Sequence, residues 1–351
     1  MSPSVAVQGA VSVRSSGYHV GWGVHAWQVQ RHAPPRDALQ LVDVDEPAPG
    51  PNELRLHVHR AAIGLPDALM CRGSYAFSPT LPFVAGQEVC GTVDAVGAGV
   101  DLPLGTRLMA VTSFFDGHGG FAESAIARSD TAFRVPDAMS DDDAAAFRIG
   151  YSTAWIGLVR RGALQRGEWL LVLGAAGGSG LAAMRLGSAL GARVIAVVAG
   201  EAKKQFCARS GAGIVIDRTA TSVPDAVLEA TGGDGADVVY DPVGGASAGA
   251  TVQCLATGGR LLAVGFASGT WVDADISEFV RRNASIVGVY AGRQTRAEAE
   301  TDHEALLALA AGGRLVGATR VIPFGALPEA LDAVDRAEAV GKLVLHVADV
   351  S

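Results

Sequence analysis

This chain is short of several features that would each mark a particular class of protein. Its four cysteines, Cys71, Cys90, Cys207 and Cys254, are scattered, with no CxxC pair and no short-range framework. They read as reduced, buried thiols of a cytoplasmic protein rather than as a disulfide scaffold. No uninterrupted apolar stretch is long enough to span a bilayer, so no membrane partner is expected. Lysine is scarce, with three residues against 25 arginines, and acids outnumber bases to leave a net charge of −8. That balance argues against a general surface for nucleic acid or anionic lipid. Residues 1–23 lack the basic start and continuous apolar core of a signal peptide, and they carry no periodicity. They read as a disordered or dispensable extension, with native translation expected to begin near codon 24.

What is present is an ordinary globular composition. The 351 residues are 49% apolar and 18% charged, which gives ample core for two domains. The 45 glycines are nearly twice the usual share and fit an α/β protein with many tight turns. Before residue 145 the pattern is short strands, as in Glu53–His59 and Val89–Val96, separated by turns at Pro47, Pro49, Gly50, Pro51 and Gly105. Between 169 and 290, six apolar runs alternate with helical stretches: Trp169–Leu173, Arg193–Val198, Ile214–Ile216, Asp237–Tyr240, Arg260–Val264 and Ser285–Val289. That alternation predicts one doubly wound, six-stranded parallel sheet. A helix (Asp302–Ala311), a strand (Ala318–Ile322), a helix (Leu327–Ala337) and a last strand (Lys342–Val347) follow, and this tail is expected to return to the first unit.

The run Trp169–Val198 carries most of the functional signal. It reads strand, glycine-rich turn (Gly174–Gly180, GAAGGSG), apolar helix ended by Gly191, and second strand. A strand feeding glycines into a helix start aims unpaired N–H groups and the positive helix end at one spot, where a pyrophosphate binds. Ala176, Gly177, Gly178, Ser179 and Gly180 are the expected cradle, the alternative being a plain βα turn. The pattern is AxGGxG, with Ala175 at the first glycine position, so the loop is expected to depart slightly from the usual one.

The end of the second strand bears on which dinucleotide binds. An NAD site places Asp or Glu there to grip the ribose 2′-hydroxyl. Val198, Ala199 and Gly200 stand there instead, followed by Lys203 and Lys204, with Arg218 after the next strand. Gly200, Lys203 and Arg218 are read as the pocket for a 2′-phosphate, and the expected cofactor is NADPH. A merely solvated helix start is the alternative.

The order of motifs resembles the medium-chain dehydrogenase/reductase superfamily, in its zinc-independent NADPH:quinone oxidoreductase-like branch. The residues that carry the resemblance are Gly64–Tyr75 (GLPDALMCRGSY), Leu81–Val100, Gly119–Ser124 (GGFAES), Tyr151–Trp155 (YSTAW), the glycine turn, Asp237–Gly245, Gly259–Gly269 and Gly341–Val347 (GKLVLHV). They run through nearly the whole chain from residue 24. The resemblance implies a GroES-like β-rich catalytic domain (24–146 and 291–351), a Rossmann NADP-binding domain (147–290) and an active site in the cleft between them.

The zinc-dependent branch would need Cys where this chain has Gly64, and GHE where it has Gly86-Gln87-Glu88. Neither glycine nor glutamine is a normal zinc ligand, and the histidines, His57, His59 and His118 among them, show no ligand spacing, so no metal is expected. Alcohol oxidation through an alkoxide is then hard, whereas a quinone or conjugated carbonyl takes hydride and spreads the charge over its own π system. By resemblance Tyr75 is the candidate proton donor, with an edge packing residue as its alternative role. Thr153 is expected near the nicotinamide, or else as a hydroxyl satisfying its own helix. Gly265, Phe266 and Ala267 match the loop along the nicotinamide half.

One departure stands out. Gly64 occupies the place where the branch usually has Asn, which removes an amide from the cleft, while Asp67 is retained as a holder of loop N–H groups. The leading expectation is an NADPH-dependent reductase of quinones or other enones. An enoyl or alkenal reductase, and a non-catalytic NADPH binder, are the alternatives. Ser285–Val289 is expected to pair across a two-fold axis in a homodimer.

Overall fold

The computed structural model describes residues 23–315 and 319–348. The expected extension at 1–23 lies outside these residues, apart from its last position. The early strands are β1 (Gly23–Val29), β2 (Leu39–Asp45), β3 (Glu53–Ile63), β4 (Phe83–Val84), β5 (Glu88–Val96), β6 (Arg107–Thr112) and β7 (Ser124–Arg134). In β3 the alternation places Leu54, Leu56 and Val58 in the core. A register shift between Val58 and Arg60 then breaks the period, and His59 turns inward to complete burial.

The second group is β8 (Trp169–Leu173), β9 (Arg193–Val198), β10 (Ile214–Asp217), β11 (Ala236–Asp241), β12 (Leu255–Ala263) and β13 (Ser285–Gly288). They form the expected parallel sheet in the order β10-β9-β8-β11-β12-β13. Leu170, Leu171 and Val172 are fully buried, as a strand covered on both faces requires. The order reverses between β8 and β11, so the carboxyl ends of those two strands open the crevice that a ligand enters. Helix Gly178–Leu190 packs close on the sheet, since a Cβ on Gly187 would lie 2.2 Å from Leu170 Cδ2. Gly191, at φ +88°, ends it as expected.

The last two strands, β14 (Thr319–Pro323) and β15 (Lys342–His346), return to the first unit and complete a mixed sheet ordered β14-β15-β3-β5-β6-β7. Leu343 pairs with Ile63 across that junction. Helix Arg296–Ala311 seals the region between the two sheets, with Leu306 and Ala310 sharing a core with Phe133, Phe147 and Tyr151. All four cysteines are buried and unpaired. No helix among the described residues is long and apolar enough to cross a membrane.

Candidate active site

The glycine turn leaves the carboxyl end of β8. Gly174 sits at φ +58°, and the N–H of Gly177 returns to its carbonyl at 2.9 Å. A Cβ on Gly180 would stand 2.4 Å from the Gly174 oxygen and 2.8 Å from Ala175 Cα, so only glycine lets the helix start meet the strand. The helix therefore opens at Gly178 with its first N–H groups free of side-chain caps. The Ser179 hydroxyl lies 3.0 Å from that of Tyr240, whose phenol burial keeps protonated. Ser179 is thus anchored to the sheet, and its backbone N–H is what it offers a phosphate.

A cation from outside the turn stands over this helix start. A Cβ on Gly178 would meet Lys342 Cδ at 3.1 Å and Nζ at 4.0 Å. The same ammonium lies 3.5 Å from Glu88 Oε2, and Glu88 is only 2% exposed. Burial raises the Glu88 carboxyl pKa, while Lys342 and the N–H of Ile149, which donates to Oε1 at 2.8 Å, oppose the rise. Glu88 thereby ties β5 to the start of helix Arg148–Trp155. A glycine cradle, uncapped N–H groups and one ammonium fit the pyrophosphate of a dinucleotide.

At the end of β9, Gly200 adopts φ +87° with open space where a side chain would be. Its N–H donates to Asp217 Oδ1 at 3.2 Å, and the same oxygen accepts from the N–H and hydroxyl of Thr219 at 2.9 and 2.7 Å. These donors hold the Asp217 carboxyl below its ordinary pKa. An acid therefore does reach this place, from β10, where Asp217 pairs with Val198. Its oxygen Oδ1 is spent on the chain itself. Lys203 Nζ donates to the carbonyl of Ala337, in the returning tail, while Arg218 is exposed beside Asp217.

On the other side of the switch point, Asp241 ends β11 fully buried. Its Oδ1 accepts the N–H groups of Val243 and Gly244, each at 2.8 Å, and its Oδ2 has no hydrogen-bond partner among the described residues. Burial raises this carboxyl's pKa against those two donors. The loop after β12 is knit to the same turn: Gly265 and Ala267 donate to the carbonyls of Asp241 and Pro242, each at 3.2 Å. A Cβ on Gly265 would lie 2.9 Å from the Pro242 oxygen. Phe266 packs on Trp271 with ring centroids 5.0 Å apart. Thr153 is half-buried on helix Arg148–Trp155, and its hydroxyl has no hydrogen-bond partner among the described residues.

Tyr75 follows helix Leu65–Arg72, which Gly73 closes at φ +71°. It is half-buried; burial raises its phenol pKa, and the nearby Gln87 side chain opposes the rise. Gln87 also reaches Met70 Sδ at 3.6 Å, which fixes the amide from behind. Asp67 holds the neighbouring turns: Oδ2 takes the Gly64 N–H at 2.9 Å and Oδ1 that of Gly86 at 3.2 Å. Burial lifts its carboxyl to about 7 despite those donors. A Cβ on Gly64 would find only ordinary contacts, at 3.4 Å. Arg72 is engaged by Asp335 at 2.8 and 2.9 Å.

Among the described residues, no group of three or more His, Cys, Asp or Glu is placed to hold a metal ion. His59 is a core residue, 2.8 Å from Asp141 Oδ2 and 3.3 Å from the Thr92 hydroxyl. A surface pocket of about 640 Å³, lined by Gln28, Asp45, Thr80, His118 and others, contains no residue of the glycine turn. The sequence reading missed Lys342, Gln87 and Asp217. Lys342 carried a signal, as the one lysine outside the Lys203-Lys204 pair. The other two act through tertiary contacts that no spacing encodes.

Known proteins match this layout. The family model described as "Alcohol dehydrogenase GroES-like domain" matches residues 50–137, and that described as "Zinc-binding dehydrogenase" matches 178–311. The quinone oxidoreductase-like protein 2 homolog of Nematostella vectensis is 34% identical over 304 residues, 85% of this chain and 82% of that protein. A mycobacterial protein solved in complex with NADPH superposes with a TM-score of 0.83 at 28% identity, covering 92% of this chain and 99% of the other. The quinone oxidoreductase of Pseudomonas syringae pv. Tomato gives 0.84 at 25%, covering 92% and 99%. By shared motifs, sheet order and sequence identity, this chain belongs to the medium-chain dehydrogenase/reductase superfamily, in its quinone oxidoreductase-like branch.

Proposed function

We propose that the protein is an NADPH-dependent, zinc-independent reductase that passes hydride to a quinone or another conjugated carbonyl acceptor. The observation that carries this reading is the glycine turn at the carboxyl end of β8 with Lys342 over its helix start, and Tyr75, half-buried, keeps its phenol proton. Gln87 stands where a metal-using relative would have a ligand, and its amide reaches Met70 Sδ at 3.6 Å. Bound NADPH supplies the hydride, so acceptor, NADPH and one proton give reduced acceptor and NADP⁺. Gly177, Gly178, Gly180 and Lys342 hold the pyrophosphate; Gly265, Phe266, Ala267 and Thr153 keep water from the nicotinamide half and orient it. Tyr75 or solvent delivers the proton.

Preference for NADPH rests on Lys203, Arg218 and the glycine at 200, with Asp217 Oδ1 already occupied by backbone and Thr219 donors. The Arg72–Asp335 pair argues against an acyl-phosphate track beside Tyr75, which disfavours large carrier-linked enoyl substrates. The domain boundaries at 146/147 and 290/291 belong to the same proposal, as does a cytoplasmic homodimer. Support for the dimer comes from β13 at the sheet edge, with Ile286 46%, Ile276 65% and Val280 71% exposed beside it.

The test is NADPH and NADH oxidation followed by absorbance with an ortho-quinone, a small para-quinone and a simple enal. Quinone turnover with NADPH well ahead of NADH is expected. Turnover of the enal alone moves the protein to the alkene reductases, and saturable NADPH binding without turnover makes it a binder.

A further inference from the structure

A second concavity stands apart from the dinucleotide crevice. Its volume is about 640 Å³, enough for a small organic ligand, and its walls come from β1, β2, β4, the 78–82 loop, the 115–119 turn and the start of β7. None of Gly64, Asp67, Tyr75, Gln87 or Thr153 lines it, so hydride transfer does not account for it.

The turn on one side is held by the backbone. The Val84 N–H donates to the Gly117 carbonyl at 3.0 Å, that of Gly119 to the Val84 carbonyl at 3.0 Å and that of Gly120 to the Gly86 carbonyl at 2.7 Å. Gly117 reverses the chain at φ +84°, and a Cβ on Gly119 would lie 2.2 Å from the Ala85 oxygen. A wall fixed in this way needs little ordering when a ligand arrives.

The chemistry of the pocket is one-sided. Asp45 ends β2 and Asp116 ends the short turn Phe114–Asp116, and neither carboxylate has an ion pair or hydrogen bond among the described residues. No lysine or arginine among the described residues lines the pocket. Arg55, which reaches the carbonyl of the wall residue Pro47 at 3.2 Å, is already held by Glu46 and Asp94, each at 2.8 Å. Ser124 is only 5% exposed, yet its hydroxyl has no hydrogen bond among the described residues. Buried hydroxyls are ordinarily paired, so this one is available to an occupant. Phe115, 49% exposed, and the rings of Pro47, Pro79 and Pro82 supply the apolar part of the wall. An aromatic ring and two unpaired carboxylates in one concavity attract a cation and repel an anion.

We propose that this pocket binds an organic ammonium ion with an apolar body. The carboxylates of Asp45 and Asp116 hold the ammonium, Phe115 and the prolines cover the body, and the Ser124 hydroxyl takes one hydrogen bond from the ligand.

The experiment is a calorimetric titration of the NADP⁺-loaded protein with three probes of similar shape: tyramine, the neutral 4-ethylphenol and the anionic 3-(4-hydroxyphenyl)propionate. Tyramine should bind about tenfold tighter than 4-ethylphenol, from one cation–π contact and two partly exposed ion pairs, and the propionate should bind weakest. Asp45→Asn and Asp116→Asn, both at exposed positions, should each lower tyramine affinity about threefold and leave 4-ethylphenol within about twofold. The double variant should lose the preference for the amine. Tyramine binding no tighter than that of 4-ethylphenol, or a preference that survives in the double variant, overturns the proposal. A preference lost in Tyr75→Phe but kept in the double variant places the amine in the cleft and overturns it as well.

Discussion

Replacing Lys342 by Met separates a folding role from a cofactor role at one side chain. In the native protein the ammonium lies 3.5 Å from Glu88 Oε2, with side-chain exposures of 17% and 2%. Among the described residues that oxygen has no hydrogen bond, so the contact is a Coulombic pair more than a directional bond. Removing one member of a buried pair costs about 3–5 kcal/mol, and the partial exposure of Lys342 places this pair at about 3 kcal/mol. For a cooperative unit of this size that is a loss of roughly 6–12 °C in Tm. The deficit depends on pH. Burial already raises the Glu88 pKa, and loss of Lys342 raises it further. A raised carboxylate is penalised above its folded pKa and unpenalised below the unfolded value of 4.5, so the Tm gap should close on acidification. Adding Glu88→Gln to Lys342→Met should recover most of the stability at neutral pH, while NADPH affinity stays about tenfold down in both variants. Differential scanning calorimetry and fluorescence titration read the two effects. A Tm gap that is independent of pH and untouched by Glu88→Gln refutes the pairing argument. Unchanged NADPH affinity refutes the placement of Lys342 over the pyrophosphate.

Four further outcomes follow from the same geometry. Tyr75→Phe should lower enal reduction about 100-fold in kcat, as for loss of a general acid, and quinone reduction within about tenfold; the wild-type rate should show no tyrosine ionisation up to pH 10, because burial raises that phenol. Gly64→Asn should fold normally, since a Cβ there makes only 3.4 Å contacts and Asn is a good helix N-cap, and steady-state kinetics should show kcat/KM for a small quinone raised roughly fivefold by one new hydrogen bond. Ile286→Asp should convert the proposed dimer to monomer by light scattering, and a monomeric wild type would end that proposal. His303 is buried with neither ring nitrogen hydrogen-bonded among the described residues, and burial, then Arg148 and Arg296, lower its pKa from 6.5 to about 4. Between those values the unfolded chain takes a proton that the folded one refuses. Stability should therefore fall by about 3 kcal/mol on acidification, and His303→Leu should flatten that denaturation profile.

The cofactor sheet was legible because its signals are local. Each strand from Trp169 to Val289 is a short, largely apolar run, and the GAAGGSG turn must lie where strand meets helix. The tail was legible too, since a lone β-α-β segment has to join an existing sheet. What escaped were contacts made across long sequence distances. Asp217 reached the Gly200 N–H because parallel pairing set it beside Val198, and no pattern in β10 announces that. His59 turned inward because of a bulge in β3, where strict alternation predicts His57 and His59 alike. Gln87 was read only for what it replaces, so its place beside Tyr75, on a turn held by Asp67, escaped. The pocket of Asp45, Phe115 and Ser124 was invisible, because one residue in each of three segments has no periodicity at all.

The place of β15 bears on the order in which the newly made chain can fold. Leu343 must find Ile63, and β15 lies between β14 and β3, so the mixed sheet stays incomplete until His346 has left the ribosome. The parallel sheet, from Trp169 to Gly288, has all its strands some fifty residues earlier. During synthesis the cofactor-binding half therefore has a head start. Nascent chains stalled after Gly288 should already gain protease resistance in that half when NADPH is added, while the first-made strands wait, with β3 exposing an unpaired edge to chaperones.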